Sequence, residues 1–198
     1  REEEALASAK RGAIREGRTI IFVDESGLSE RPHRCRTWAP RRKTPVLQHS
    51  VNGNLLSAIA GVTIWNLNVQ LFPGTIKAPQ AVGFLEHLLP HVRGPLLVVW
   101  DGLPAHRSRL VNDFARAHED RLLVERPPGY APELDPVGYP WGYWKHHALP
   151  NLCSHDFGAL SGHALRALRR MRRRPRLVVA FWKQAEPFEV TVFPKAQQ

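Results

Sequence analysis

At 198 residues, 43% of them hydrophobic and 23% charged, the chain is long enough for one domain with a real core and too apolar to be a disordered polymer. No apolar run reaches the ~18–20 residues that cross a bilayer, and the opening Arg1-Glu2-Glu3-Glu4 lacks a signal-peptide core, so a cytoplasmic location is expected. Lys and Arg number 28 against 18 Asp and Glu, a formal charge of +10 whose field favours polyanions, nucleic acid first among them.

Residues 2–15 read as a helix: acidic at the start, Ala-rich, Arg11 and Arg15 near the end, and Gly17 as the stop. Residues 19–23 form a continuous β-branched and aromatic run, the mark of a buried strand, and it ends in Asp24-Glu25-Ser26-Gly27. A polar connection follows to Pro45, carrying Arg31, Arg34, Arg36, Arg41, Arg42 and Lys43, and Trp38 is expected to anchor it. Residues 55–65 and 67–72 read as a second and third strand closed off by Pro73-Gly74. Residues 78–91 carry Val82, Leu85, Leu88 and Leu89 at helical spacing. Residues 95–100 are a second fully buried run, ending in Asp101.

Residues 108–119 then read as an amphipathic helix, 121–125 as a short strand running into Pro127-Pro128, and 137–148 as a helix after a Pro-rich elbow. Residues 161–174 form a very basic helix with Leu165, Leu168 and Met171 as its apolar stripe, and 177–182 are apolar. This order predicts an α/β domain, a mixed sheet flanked by helices, with no internal repeat and no linker.

Asp24 and Asp101 each follow the end of a strongly apolar strand, where the sites of α/β sheets collect. Taken singly, each could be a cap or a turn residue. Together they could hold a hard divalent cation such as Mg2+, and two such ions can clamp the attacking and leaving oxygens of a phosphodiester. There is no Gly-rich phosphate loop to suggest nucleotide binding. Glu25, on the other side of the pleat, reads as structural.

Four segments in order carry a resemblance: Val23-Asp24-Glu25-Ser26-Gly27; Thr37-Trp38-Ala39-Pro40-Arg41; Trp100-Asp101-Gly102-Leu103-Pro104-Ala105-His106; and Pro128-Gly129-Tyr130-Ala131-Pro132-Glu133-Leu134-Asp135-Pro136-Val137. Over residues 20–152 the chain resembles the catalytic domain of the mariner-like DDE transposases, bacterial insertion-sequence branch. The resemblance implies a ribonuclease-H-like fold and DNA cleavage and strand transfer in transposition, with Mg2+ or Mn2+ as cofactor. It places the first two catalytic, metal-binding aspartates on Asp24 and Asp101, with His106 in support. It also implies DNA ends and target DNA as partners, a homodimer when active, and nucleoid association.

The position that normally supplies the third carboxylate falls on Gly138, which has no side chain to bind a metal. Gly138 and Pro140 also weaken the first turn of the helix that should aim that ligand. Asp135, three residues earlier, could substitute as the third catalytic residue, and Glu133 is a further candidate. A degenerate copy without activity is the other reading, leaving a DNA-binding remnant. A nuclease of the same fold without strand transfer is a third.

His106 could orient a phosphate or a metal-held water, or simply bond to backbone at a helix start. Arg166, Arg169, Arg170 and Arg173 on the basic helix, and Arg41, Arg42 and Lys43 earlier, are candidate DNA-backbone contacts, which position without reading sequence. Trp141, Tyr143, Trp144, His146 and His147 could stack on unpaired bases, though packing on the sheet suits them better. Cys35 and Cys153 lie far apart without a partner motif, so two free thiols are expected rather than a zinc site. All of 1–198 reads as one catalytic domain without the helix-turn-helix region of longer relatives. That function would then fall to a separate polypeptide, as in a split gene.

Overall fold

The computed structural model describes residues 2–49, 53–126 and 135–185. Helix α1 (Glu2–Arg15) leads through Gly17, whose φ of 66° is the left-handed turn expected of a glycine stop, into strand β1 (Thr19–Ser29). Strands β2 (Leu55–Val62) and β3 (Leu67–Pro73) form a hairpin; α2 (Ala78–His91), β4 (Leu96–Trp100), α3 (Arg109–Ala117) and β5 (Leu122–Glu125) follow. Later in the chain come α4 (Gly138–Tyr143), a π-helical turn (Trp144–Ala148), α5 (Phe157–Arg172) and α6 (Pro175–Ala185). The sheet order is β3-β2-β1-β4-β5, antiparallel between β3, β2 and β1 and parallel from β1 through β4 to β5.

Strand pleating sorts the core into two layers. On one face, Phe22, Leu56, Ala58, Ala60, Val62, Leu97 and Val99 pack against Trp141 and Trp144 and against the buried faces of α5 and α6. On the other, Ile21, Val23, Ile59, Val98 and Trp100 meet Ala81, Phe84, Leu85 and Leu88 of α2 and Val111 of α3. The first face is lined by small residues in mid-β2, Ala58 and Ala60, which leaves depth for the two indoles.

Several expectations need correction. β1 does not stop at Val23: its pairing with β4 ends at Val23 beside Trp100, but its pairing with β2 continues to Ser29 beside Leu55. Asp24 therefore lies inside a strand, at the point where one neighbour has run out. β2 ends at Val62 because Thr63 turns the chain, its hydroxyl accepting the backbone N–H groups of Trp65 and Asn66; Trp65 is exposed. Trp38 anchors nothing, being 100% exposed.

The predicted helix over 137–148 divides into an α-helix and a π turn. The apolar run at 177–182 is the buried side of α6, with Val178, Phe181 and Trp182 inward at helical spacing. On α5 the inward stripe is Leu160, Ala164, Ala167, Leu168 and Met171, whereas Leu165 is 37% exposed. A 3.6-residue period through Leu168 and Met171 runs back to Ala164 and Leu160 rather than to Leu165.

Gly61 of β2 lies close against Ile21 of β1 and Phe84 of α2. A Cβ there would sit 2.6 Å from Ile21 Cδ1 and 3.3 Å from the Phe84 ring. Gly61→Val should therefore destabilise the fold by about 1–3 kcal/mol through overpacking, read as a lower urea midpoint with an unchanged slope.

Candidate active site

The register of β1 against β4 decides where the first two aspartates go. Thr19 pairs with Leu96 and Val23 with Trp100, so Asp24 and Asp101 occupy the next positions on adjacent parallel strands. Asp24 shares the parity of Phe22, which faces the layer containing Trp141 and Trp144. Asp101, the first residue past β4, has a carboxyl oxygen within 4.8 Å of donor atoms of Glu25 and His106. Across β1 from Asp24, β2 offers only Ala60.

Asp135 joins them from the elbow. Its Oδ1 accepts the backbone N–H of Val137 at 2.9 Å, an Asx turn that starts α4. Its carboxyl lies near enough to Asp24 to raise that group and near enough to Asp101 to be raised by it. Glu133 lies outside the described residues. Gly138 opens α4, and a Cβ built on it meets nothing within 4 Å among the described residues. The Gly138 and Pro140 pair does not abolish the helix; Val137 O accepts the Trp141 N–H at 3.3 Å.

The three carboxyls are not equivalent. Burial, then repulsion by Asp135 and Glu25, pushes Asp24 up to about 7, against the bond from Trp141 Nε1, which donates to its Oδ2 at 3.0 Å. Burial and the charge of Asp101 push Asp135 up to about 6. Burial also penalises the Asp101 anion. The hydrogen bond from His106, the Leu103 N–H, and the charges of His106 and Arg107 outweigh it and hold Asp101 below the usual carboxylate range.

His106 is the clamp behind this difference. It is 2% exposed, with its ring stacked on Trp100 at 4.0 Å between centroids. Nδ1 meets Asp101 Oδ1 at 2.6 Å and Nε2 meets Glu25 Oε1 at 2.7 Å. Burial lowers its pKa, but the bonds to Asp101 and Glu25 more than reverse that and raise it to about 9. At neutral pH both ring nitrogens carry protons and donate, so His106 ties Glu25 to Asp101, the donor atoms of all three lying within 4.8 Å of one another. The pleat turns Glu25 away from Asp24, as the sequence pattern requires, and gives it this partner.

Lys145 does not stand out in the sequence as a site residue. It is half-buried, its pKa is lowered by burial, and the Asp24 charge acts against that shift. The signal lies in the spacing: it follows Trp141 by four residues, and Trp141 is bonded to Asp24. Trp141 and Trp144 are buried, so packing accounts for them, while His146 and His147 are exposed. Arg166, Arg169 and Arg170 stand on the exposed face of α5, and Arg173, also exposed, caps its C-terminus. Arg41, Arg42 and Lys43 lie exposed on a turn closed by the Lys43 N–H donating to Pro40 O at 3.0 Å, with Arg42 at φ 67°.

A family model described as "DDE superfamily endonuclease" matches residues 19–161. The chain belongs to this family.

Its fold places this DDE endonuclease domain beside solved mariner transposases and shows the ribonuclease-H-like architecture. The Mos1 transposase paired-end complex with left transposon end matches with a TM-score of 0.60 and 16% identity, over 95% of this chain and 62% of that one. The Mos1 mariner paired-end complex with Mn matches at 0.58 and 18%, over 96% and 63%. The catalytic domain of Mos1 mariner transposase matches at 0.55 and 16%, over 96% and 94%. The DDE domain thus spans less than two thirds of the longer transposase chains and nearly all of the isolated catalytic domain. Among curated protein sequences there is no match. Among the described residues no helix is long and apolar enough to cross a membrane.

Two pH effects follow from the site. Asp24 and Asp135 are harder to ionise folded than unfolded, so in the absence of metal the fold loses stability as pH rises from about 4 through about 7. Asp24→Asn keeps an acceptor for Trp141 and should stabilise the metal-free protein by on the order of 2 kcal/mol at about pH 8, with no gain at about pH 4; thermal melts at both pH values check this. The contribution of His106 has the opposite origin: it is fully present below 6.5 and lost as pH rises through about 9. Wild type should accordingly lose its stability advantage over His106→Gln across that interval in the same melts.

Proposed function

We propose that this chain is the catalytic domain of a DNA transposase, cleaving and transferring DNA strands with Mg2+ or Mn2+, and that Asp24, Asp101 and Asp135 are its three catalytic carboxylates. One observation carries the reading: Asp24 and Asp101 stand at the same level at the end of the β1–β4 pairing, and Asp135 lies between them electrostatically, raising Asp24 and raised by Asp101, so that two of the three are strained as anions. Grouped, half-buried carboxylates repel one another until a cation neutralises them, and an all-oxygen donor set suits a hard divalent ion. The residues present therefore fit the metal that the family implies, with Asp24 and Asp101 as the principal holders. Bound metal would supply charge stabilisation at the attacking and leaving oxygens of the phosphodiester.

The chain's own residues prepare that site. His106 keeps Asp101 ionised and fixes its rotamer; Trp141 orients Asp24; Lys145 sets a positive charge beside Asp24. Asp135 reaches the cluster from the Asx turn instead of from the first turn of α4, where Gly138 stands. DNA is the proposed partner, supported by the likeness to Mos1 complexes with a transposon end and by the exposed Arg41, Arg42, Lys43, Arg166, Arg169, Arg170 and Arg173. Residues 1–198 act as one catalytic unit in this reading, as a homodimer when active and with a helix-turn-helix polypeptide reading the element ends. Its place is the cytoplasm, on the nucleoid.

A second reading, a non-catalytic DNA-binding remnant, is favoured by Gly138 itself. Nicking of supercoiled plasmid with Mn2+ separates the two. The first reading expects nicking by wild type that falls to the Asp24→Asn level in Asp135→Asn. A silent wild type with nicking restored by Gly138→Glu establishes the remnant. Charge reversal at Arg169, Arg170 and Arg173 should flatten the salt dependence of DNA binding by about 0.9 in the log–log slope for each phosphate that the variant no longer neutralises. An unchanged slope removes α5 from the DNA surface.

A further inference from the structure

Away from the carboxylates, the connection after β1 is fastened to the π turn by a cluster of different chemistry. His33 Nε2 and His146 Nε2 are 3.3 Å apart, and Cys35 Sγ is 3.7 Å from His146 Nδ1. One donor atom of each residue lies within 4.8 Å of the others. We infer that His33, Cys35 and His146 form a second metal site, for a borderline-soft divalent transition metal with zinc as its natural occupant, which latches the basic connection to the π turn.

The donor set decides the class of ion. A thiolate with two imidazoles is the choice of zinc and its neighbours, whereas Mg2+ and Ca2+ take oxygen. Tetrahedral zinc, with Zn–N bonds of ~2.0–2.1 Å and a Zn–S bond of ~2.3 Å, sets its donors ~3.3–3.6 Å apart; one donor atom of each residue already lies within 4.8 Å of the others. His146 would turn a single ring nitrogen to the ion, because its 3.3 Å approach to His33 is made by Nε2 and its 3.7 Å approach to Cys35 by Nδ1. Three protein ligands leave the fourth position to water. On binding, Cys35 gives its thiol proton to solvent and each imidazole donates a ring-nitrogen lone pair, displacing water from the ion.

A second feature points to the same site. Asn151 holds the backbone of both connection ligands at once. Its N–H donates to His33 O at 3.0 Å, its Oδ1 accepts the Cys35 N–H at 2.8 Å, and its Nδ2 donates to Cys35 O at 3.1 Å. To do so it adopts φ 54°, a left-handed conformation uncommon outside glycine but tolerated by asparagine. The ligand-bearing segment is thus held in place by outer partners, as the ligands of built metal sites are. His146 sits on a π turn, a distortion of the helix often found where a side chain must be re-aimed. Sequence spacing hides the cluster because Cys35 and His146 are 111 residues apart.

Cobalt(II) is the probe, added to the full chain carrying Asp24→Asn and Asp101→Asn so that the carboxylate cluster does not compete. One equivalent should give the intense visible bands of tetrahedral cobalt and a thiolate-to-cobalt charge-transfer band, and zinc should displace both. The charge-transfer band should vanish in Cys35→Ser, persist in Cys153→Ser, and in Asn151→Ala require roughly 10–100-fold more metal. His146→Gln, with circular dichroism to verify folding, should weaken binding independently of the thiol. Zinc should also slow tryptic cleavage at Arg41, Arg42 and Lys43. Absence of the charge-transfer band in the folded protein, or its survival in Cys35→Ser, overturns the inference. Neither result bears on whether the carboxylates cleave DNA.

Discussion

The parallel pairing of β1 with β4 runs from Thr19 beside Leu96 to Val23 beside Trp100 and stops there. Asp24 and Asp101 are both placed by that stop. β1 continues along β2 without a neighbour on its other side, so Asp24 is held by strand geometry yet stands at an opening in the sheet. Asp101 leaves β4 at the same level. A slip of one residue between these strands would turn one of the two carboxylates into the opposite layer, among the side chains of α2 and α3. The apolar runs on either side, Ile20 to Val23 and Leu96 to Trp100, are what prevent the slip, because each buries alternate residues in two different cores.

Around that fixed pair the protein treats its acids unequally. Asp101 is made a firm anion by a buried, doubly protonated imidazole, and Asp24 and Asp135 are kept reluctant to ionise. His106 can do this because Trp100 supplies a flat aromatic face for its ring and Glu25 supplies a second negative partner. The stabilising and the destabilised charges thus lie on opposite sides of one strand, one residue apart. In the proposed reading, such a site would exchange protons for a cation.

Much of this was legible in the residues. The strongly apolar strands and the helix over Ala78–His91 stand out by period and composition, and Asp24 and Asp101 stand out by following those strands. Alternation also put Glu25 on the other side of the pleat. What periodicity could not show depends on partners distant in sequence. β1 outlasts its apolar run because β2 pairs with it, and nothing in Asp24-Glu25-Ser26-Gly27 announces a strand. Trp38 looks like an anchor in sequence, but its ring stands wholly in solvent. The roles of Lys145 and Cys35 arise from interactions across more than a hundred residues, with Asp24 and with His146. Asp135 was legible only as a candidate; its approach to the other carboxyls follows from the Asx turn.

The π turn at Trp144–Ala148 has a consequence for how this protein tolerates insertions and deletions. A π turn holds one residue more than the α-helical turn it replaces, and each residue in a helix advances the side chains by about 100°. Trp141, upstream of the turn, keeps its aim at Asp24, and His146, inside it, faces the loop after β1. Removing one residue between them would restore a regular helix and swing His146, and with it Asn151, off the loop while leaving the indole in place. The number of residues in this stretch is therefore under tighter constraint than the identity of most of them, and lineages that shorten it must lose their grip on the basic loop in a single step.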